Sequence, residues 1–249
     1  MTIGSETARS GFTNEQLFCD LINYNSKFKT AMSRCLNQLH LANGTVERAE
    51  KIAGRNKTDV RMYLSGSRNN VGCSIKSAKA DFNQLDRRWL DDWVLTLNMP
   101  ENIKNEIQNS IDRKGRPGHS RDPFILQKQW SLVGGFFERV KIQLLSELFT
   151  KNELDLTTLV AYDRDNRRWI ICRMFDIIRY IGQSNVGITN KGIVTFGDYL
   201  SLQRKGGDGN ITIPPKTSPL HPSNQLQFKV KPLALVNAIQ HQIINENCG

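Results

Sequence analysis

The sequence lacks the features that would place the chain in a membrane, on a secretory route or around a structural metal. No apolar run approaches the ~18 residues that a membrane-spanning helix needs, and residues 1–11 carry Ser, Glu, Thr and Arg where a signal peptide has its apolar segment. The five cysteines include no C-x-x-C pair, and the four histidines have no recognisable ligand spacing. We therefore expect a soluble, cytoplasmic protein with reduced thiols and no disulfide or zinc framework.

Charge of one sign is in excess. The 249 residues include 34 Lys and Arg against 24 Asp and Glu, which gives a formal net charge of +10. Such a surplus is typical of proteins that bind a polyanion, most often nucleic acid, although an ordinary basic protein of the cytoplasm fits the same count. Hydrophobic residues make up 39% of the chain, enough to form the core of one large domain or two small ones.

The hydrophobic pattern predicts an α/β (α+β) fold. Its N-terminal half mixes helices with a hairpin, and its C-terminal half is rich in strands. Helices are predicted over residues 14–41, 46–52, 81–99, 124–133, 136–150 and 174–181. Strands are predicted over residues 59–64, 71–76, 157–162, 168–173, 193–196, 199–203 and 226–230. This pattern divides the chain into residues 1–150 and 151–249.

Two local features have competing interpretations. The basic loop RKGRPGHSR at residues 113–121 is either a phosphate contact or a solvated linker. Trp89 and Trp93 lie four residues apart in a predicted helix, which favours core positions over platforms for stacking bases. No G-x-x-x-x-G-K-[ST] motif is present, so the chain has no P-loop.

Three polar residues, Asp59, Ser74 and Lys76, occupy the predicted hairpin. Because successive side chains of a strand alternate, Ser74 and Lys76 share one face while Ile75 points to the other. A carboxylate that anchors Mg²⁺, with a lysine that orients or deprotonates water, suits metal-assisted hydrolysis of a phosphodiester. Glu15, in the first predicted helix, could add a carboxylate. Alone, the D-x14-S-x-K spacing is a weak signal, since an exposed hairpin with ordinary polar residues produces it too.

A second motif, QRKGGD at residues 203–208, follows a predicted strand. Its glycines would let the backbone approach a DNA groove. Arg204 or Lys205 can hold O6 and N7 of guanine, and Asp208 can accept a hydrogen bond from N4 of cytosine. A glycine hairpin turn with two solvated cations is the alternative interpretation.

Seven sequence blocks together indicate a family. They are GFTNE at 11–15, TD at 58–59, IK at 75–76, FNQLD at 82–86 followed by Trp89, RWI at 168–170, QRKGGD at 203–208 and LQFK at 226–229. In this order they resemble the MspI-like group of small type II restriction endonucleases, the GCGC and CCGG cutters of the PD-(D/E)XK nuclease superfamily. The QRKGGD and FNQLD blocks are most similar to the GCGC cutters. The blocks span residues 11–229, with none between 101 and 159.

The resemblance implies roles for individual residues. Asp59 corresponds to the metal-binding Asp of the family, Lys76 to its catalytic lysine, and Glu15 to a first-helix Glu that completes the metal site. Ser74 occupies the position that is Asp or Glu in most of the superfamily and Asn or Gln in this group, so the number of metal ions and the level of activity stay open. Gln84 corresponds to a glutamine that probes the DNA beside the active site. The full set expected to bind DNA is Asn83, Gln84, Gln203, Arg204, Lys205, Gly206, Gly207, Asp208 and Lys229.

The expected function follows from this resemblance. It implies a mixed-sheet PD-(D/E)XK core with the nuclease centre in residues 1–150 and a β-rich DNA-recognition half in residues 151–249. The chain would be a monomeric type II restriction endonuclease that uses Mg²⁺ to cut double-stranded DNA at a short GC-containing palindrome, with GCGC favoured. A companion DNA methyltransferase is implied, and no membrane partner. Two other functions fit the sequence: a DNA-binding protein of this fold with impaired chemistry, and a structure-specific repair nuclease.

Overall fold

The structure, a computed structural model, describes residues 3–54, 56–66, 70–78, 82–151, 153–206 and 214–246. These residues form seven α-helices, two one-turn 3₁₀ helices and eleven strands, which confirms the predicted α/β class. The helices are α1 (Ile3–Tyr24), α2 (Ser26–Gln38), α3 (Leu90–Leu97), α4 (Glu101–Gly115), α5 (Trp130–Phe149), α6 (Met174–Gln183) and α7 (Pro232–Asn237). The strands are β1 (Val46–Lys51), β2 (Val60–Leu64), β3 (Val71–Ser77), β4 (Asn83–Arg88), β5 (Leu156–Asp163), β6 (Arg168–Arg173), β7 (Val186–Ile188), β8 (Val194–Phe196), β9 (Leu200–Arg204), β10 (Leu226–Val230) and β11 (His241–Asn245).

The strands form two sheets. The first has the order β1-β2-β3-β5-β6-β11, and its single parallel pair is β3 with β5. The second has the order β4-β10-β9-β8-β7 and is antiparallel throughout. The predicted hairpin is confirmed, because Val60 pairs with Cys73 and Met62 with Val71 in an antiparallel register.

Two compact units alternate along the chain. The first contains Met1–Asp81, Phe149–Tyr180 and Lys231–Gly249, and the second contains Phe82–Leu148 and Ile181–Val230. Strands β5 and β6, which follow residue 150 in sequence, belong to the sheet of the first unit. The sequence division at residue 150 therefore does not coincide with the division into compact units.

The core of the first unit lies between its sheet and the helices α1 and α2. Phe18 from α1 and Phe28 from α2 contact each other edge to face, and the ring centroid of Phe18 lies 5.0 Å from that of Trp169 on β6. Strand β3 is buried over residues 71–75, since it is an interior strand of the sheet. Helix α1 packs on β1 and β3, so the core sets the position of the strand that carries Ser74 and Lys76.

Two stretches that were predicted to be helices contain strands. Residues 46–51 of the predicted helix over 46–52 form strand β1, which has a register irregularity between Val46 and Arg48. This irregularity buries Val46 and Ala49 three residues apart, which is helical spacing, so a strand produced a helical pattern. Within the predicted helix over 81–99, Asn83–Arg88 form strand β4 and only Leu90–Leu97 form a helix, α3. The first turn of α3 is capped by the Asp92 carboxylate, which accepts from the Trp89 backbone N–H.

The second unit has an aromatic core beneath its sheet. Trp93 of α3 packs against Phe228 of β10 with ring centroids 5.0 Å apart, and Phe137 of α5 packs against Phe196 of β8. Trp93 is 1% exposed, which confirms its predicted core position. Among the helices of the described ranges, none is long and apolar enough to cross a membrane.

Candidate active site

Three predicted residues meet at one carboxylate oxygen in the first unit. Oδ2 of Asp59 accepts hydrogen bonds from the backbone N–H of Ile75 at 2.7 Å, from Ser74 Oγ at 3.1 Å and from Lys76 Nζ at 3.3 Å. Lys76 Nζ also donates to the backbone carbonyl of Ile75 at 3.1 Å. The two strands thus bring a carboxylate, a hydroxyl and an ammonium group to one point.

The hairpin register explains this convergence. Asp59 immediately precedes β2, and its backbone N–H donates to the carbonyl of Cys73 at 2.9 Å. That bond sets the Asp59 side chain beside the next residues of β3, while Ile75 points into the core. The side chains of Asp59 and Lys76 are 22% and 24% exposed, so both are shielded by the fold and still open to solvent on one side.

Glu15 forms a different contact from the one expected. Its carboxylate pairs with Lys51 Nζ, at the end of β1, at 2.8 Å. The backbone N–H of the next residue, Ile52, donates to the Asp59 carbonyl at 2.9 Å, so Lys51 and Asp59 belong to adjoining parts of the sheet. Sequence reasoning missed Lys51 because its segment was predicted to be a helix.

The described DNA-binding candidates lie mainly on three neighbouring strands of the second sheet. Gln84 lies opposite Lys229 in the β4–β10 register, and Gln203 lies opposite Gln227 in the β9–β10 register. The Gln227 amide donates to Gln84 Oε1 at 2.7 Å. Asn83 begins β4, opposite Val230. Three strands that are distant in sequence therefore form one surface that carries glutamine and lysine side chains.

The segment after β9 is described as far as residue 206. The Lys205 backbone N–H donates to the Gln225 carbonyl at 2.9 Å, and Gly206, with a φ of +74°, donates to the Ser223 carbonyl at 3.1 Å. A φ in this range favours glycine. Gly207 and Asp208 lie outside the described residues.

Arg204 lies on the buried side of the same sheet. It is 6% exposed, and its guanidinium donates to Asn224 Oδ1 from Nε and Nη2, at 2.9 and 2.7 Å, and to Ser223 Oγ at 2.9 Å. Burial lowers the pKa of this guanidinium from its ordinary value. A base contact by Arg204 would require these hydrogen bonds to be exchanged.

The predicted basic loop begins inside helix α4, which ends at Gly115. Arg113 Nη2 donates to the carbonyls of Pro123 and Phe124 at 2.7 and 2.8 Å, and Lys114 Nζ donates to the carbonyl of Ser120 at 2.8 Å. These two cations hold the turn after α4 closed.

The mixed α/β fold with two sheets defines a class, since it matches the fold of a restriction endonuclease. The sequence model of the R.HinP1I restriction endonuclease family matches residues 45–236, more than half of the chain. The chain belongs to the R.HinP1I restriction endonuclease family, and it is a type II site-specific deoxyribonuclease.

Comparison with solved structures agrees on the fold. The crystal structure of restriction endonuclease MspI in complex with its cognate DNA matches with a TM-score of 0.53 and 15% sequence identity, over 91% of this chain and 91% of that chain. At this identity the likeness concerns the fold alone. No curated protein matches the sequence.

Restriction endonucleases generally depend on a divalent metal ion, and the residues at Asp59 suit one. Mg²⁺ takes oxygen ligands and is commonly held by one or two carboxylates, with waters and substrate phosphates completing its shell. Asp59 provides a carboxylate, and the Ser74 hydroxyl is a neutral oxygen beside it. Over the part of the chain that is described, no group of three or more His, Cys, Asp and Glu side chains is placed to hold a metal. The Asp59 carboxylate and the Ser74 hydroxyl are oxygen donors of the kind that a hard cation accepts.

Proposed function

We propose that this endonuclease uses Mg²⁺ to hydrolyse phosphodiester bonds of double-stranded DNA at a short GC-containing palindrome, with GCGC favoured. The observation that carries the proposal is the convergence of Ser74, Lys76 and the Ile75 N–H on Asp59 Oδ2. A carboxylate beside a lysine is the arrangement that metal-assisted phosphodiester hydrolysis needs. MspI, which shares the fold, was crystallised in complex with its cognate DNA, and this is consistent with duplex DNA as the substrate here.

Each residue of the centre has a distinct role in this proposal. Asp59 and Ser74 would hold the metal ion, with Glu15 as a further carboxylate if it leaves Lys51. When bound, Mg²⁺ supplies Lewis-acid polarisation of the scissile phosphate. Lys76 Nζ lies at the same point. It can orient the attacking water by donating hydrogen bonds or, in its neutral form, accept the proton of that water. The backbone N–H of Ile75 keeps the Asp59 carboxylate in one orientation.

We assign DNA reading to the second unit. Gln84, Gln203 and Lys229 lie on adjoining strands, and amide and ammonium groups can hydrogen-bond to base edges or phosphates. Lys205 and Gly206 begin the segment that also contains Gly207 and Asp208. The proposal therefore keeps the 203–208 segment as the source of contacts to guanine and cytosine.

The cellular setting is part of the same proposal. A cell that carries such a nuclease must protect its own sites, so we infer a companion DNA methyltransferase that forms no stable complex with it. We also propose a monomer acting in the cytoplasm. The formal net charge of +10 supports a polyanionic partner.

The function is tested by Asp59→Ala and Lys76→Ala. Both changes should abolish cleavage of a plasmid in Mg²⁺ and leave gel-shift affinity for the cognate duplex largely unchanged, because both groups act on the metal and the transition state. Ser74→Ala should be milder, since a hydroxyl is a weak ligand.

Asp20→Ala and Lys104→Ala serve as controls, since they change the same residue types where the side chains make surface contacts with Gln16 and Asp91. Turnover near the wild-type rate in Asp59→Ala or Lys76→Ala would place the active site elsewhere. Gel shift by the wild type without cleavage, in Mg²⁺ and in Mn²⁺, would select the impaired DNA-binding protein. Cleavage of plasmid DNA without discrete bands would select the structure-specific nuclease.

A further inference from the structure

A second carboxylate holds the residues that precede Asp59. Glu153 accepts hydrogen bonds from the backbone N–H of Lys57 at 2.6 Å and from the backbone N–H of Thr58 at 2.9 Å. It also accepts from the Thr58 hydroxyl at 2.6 Å. Glu153 is 95 residues from Thr58 along the chain, and Thr58 is 2% exposed. The segment leading into the active-site carboxylate is therefore tied down by a distant residue.

Asp59 itself is held by backbone bonds on both sides. Its N–H donates to the carbonyl of Cys73, and its carbonyl accepts from Ile52, each at 2.9 Å. With Glu153 holding Lys57 and Thr58, three consecutive residues are fixed in place. A shift of Thr58 would turn the peptide plane at Asp59 and move the carboxylate away from Ser74 and Lys76.

The charge on Glu153 strengthens this attachment. Burial alone would raise its pKa, but the hydrogen bonds from the Thr58 hydroxyl and the backbone N–H groups outweigh burial and lower the pKa below its ordinary value. The carboxylate is therefore ionised at neutral pH. Hydrogen bonds to an ionised acceptor are about twice as strong as neutral ones.

Residues 153–155, the turn that contains Glu153, also hold both strands of the site. The backbone carbonyl of Asp155 accepts from the Gly72 N–H at 2.7 Å, near the start of β3. The Asp155 carboxylate pairs with Arg61 on β2 at 2.8 Å. Residues 153–155 thus contact the segment before Asp59, the strand after it and the strand that carries Ser74 and Lys76.

We propose that Glu153 is a positioning residue for Asp59, holding Lys57 and Thr58 so that the carboxylate is aimed at the metal position. The inference rests on the proposed role of Asp59 as the metal carboxylate. Glu153 acts through Thr58 and touches no reacting atom. Its loss should weaken metal binding and slow cleavage, and it should leave DNA binding by the second unit unchanged.

Two substitutions remove this contact to different degrees. Glu153→Gln keeps the size of the side chain, but an NH₂ group replaces one acceptor oxygen. Thr58→Val keeps the shape and removes only the hydroxyl donor. Glu138→Gln is the matched control, because Glu138 in the second unit also accepts a backbone N–H, from Val186 at 2.9 Å, and its pKa is also lowered, chiefly by the hydrogen bond from Lys141.

Four quantities are measured for each protein: the dissociation constant for Mn²⁺ by electron paramagnetic resonance, kcat and KM on a cognate duplex, and the urea midpoint of unfolding. For Glu153→Gln we expect the Mn²⁺ dissociation constant to rise and kcat to fall by roughly 10–100-fold. KM should stay unchanged, and high Mn²⁺ should restore part of the rate. Thr58→Val should change the same quantities in the same direction by less, and Glu138→Gln should change neither the Mn²⁺ constant nor kcat.

The inference is overturned if Glu153→Gln and Thr58→Val bind Mn²⁺ and turn over like the wild type, even with a lower urea midpoint. If Glu153→Gln does not fold, Thr58→Val decides alone. Asp59→Ala separates the positioning role from the metal site itself. If Asp59→Ala binds Mn²⁺ like the wild type, the proposed metal site is wrong. If Asp59→Ala loses Mn²⁺ binding while Glu153→Gln and Thr58→Val keep it, only the positioning role of Glu153 is wrong.

Discussion

At the scale of single residues, adjacent positions on one strand have opposite surroundings. Gln203 lies on the side of β9 that bears Ser201 and, on β10, Gln227, whereas Arg204 lies on the side of Leu202 and Leu226. Side chains alternate along a strand, so Gln203 and Arg204 cannot both face the same DNA surface without a local change in the strand. In the structure Arg204 instead holds residues 223–224, next to the segment proposed to read bases.

Arg204→Ala should therefore lower stability as well as specificity. Removing the guanidinium leaves the buried Asn224 Oδ1 without its donor, which should cost roughly 1–3 kcal/mol in the free energy of unfolding. Cognate binding should weaken more than binding to random duplex, since the neighbouring segment loses its support. Urea unfolding and gel shifts on GCGC and scrambled duplexes measure both effects.

Gln203→Ala is the paired control on the other face. It should reduce discrimination while changing the unfolding free energy by less than about 0.5 kcal/mol, as surface changes usually do. If Arg204→Ala lost cognate binding at wild-type stability, Arg204 would be the direct reader of guanine that the sequence motif suggests.

Some features at this scale were accessible from sequence. The period of two residues correctly placed Ser74 and Lys76 on one face, because both reach Asp59. Glu153 was not accessible, since a contact across 95 residues leaves no local pattern. The sequence likewise did not show which of the two cations of QRKGGD, Arg204 or Lys205, the fold would bury.

At the scale of elements, irregular strands account for the two stretches of strand that were predicted to be helices. Strands β6 and β10 were predicted with the bounds that they have in the structure. Strand β1 and the β4–β10 pair both contain register shifts, at Val46/Arg48 and at Phe228/Lys229. In a regular strand, buried and exposed side chains alternate with a period of two residues. A register shift replaces this period locally with a spacing of buried residues that resembles that of a helix. Pairing between distant strands decides the structure there.

Gly72→Ala tests how closely β3 must approach β5. A Cβ at Gly72 would lie 2.9 Å from the backbone carbonyl oxygen of Asp155, which cannot move without shifting β5. We expect a loss of roughly 1–3 kcal/mol in the free energy of unfolding, as for other overpacked sites. Cleavage should slow as well, because β3 carries Ser74 and Lys76.

Gly134→Ala is the control for this substitution. Gly134 lies within helix α5, and a Cβ at this position would lie 3.8 Å from Ile188 Cδ1, an ordinary contact distance. Alanine should be neutral or stabilise the helix by roughly 0.5–1 kcal/mol. Equal stability of Gly72→Ala and wild type in thermal unfolding would contradict the close packing of β3 on the 153–155 turn.

At the scale of the whole molecule, the catalytic candidates and the DNA-reading candidates belong to separate compact units. Asp59, Ser74 and Lys76 lie in the first unit, and Gln84, Gln203 and Lys229 in the second. The chain passes between the units four times, so composition along the sequence could not define their limits. That the first unit cuts DNA and the second unit recognises its sequence stays a proposal. In this proposal the two functions are divided between the compact units and not at residue 150.

The proposed monomer has a kinetic consequence. The chain contains one Asp59–Lys76 centre, so a monomer cuts one strand at a time and must rebind before the second cut. On a supercoiled plasmid with one site, an open-circular intermediate should accumulate before linear DNA, and its decay should slow when enzyme falls below the DNA concentration. Direct conversion to linear product at every enzyme concentration, with a two-chain mass in solution, would contradict the monomer.

Sequencing the ends of phage DNA fragments after digestion in Mg²⁺ tests the central claim most directly. The wild-type protein should give discrete ends at one GC-containing palindrome, with GCGC expected, and Asp59→Ala should give none above background. Ends scattered without a common sequence would contradict site-specific cutting. Identical end profiles for wild type and Asp59→Ala would contradict the assignment of the chemistry to this carboxylate.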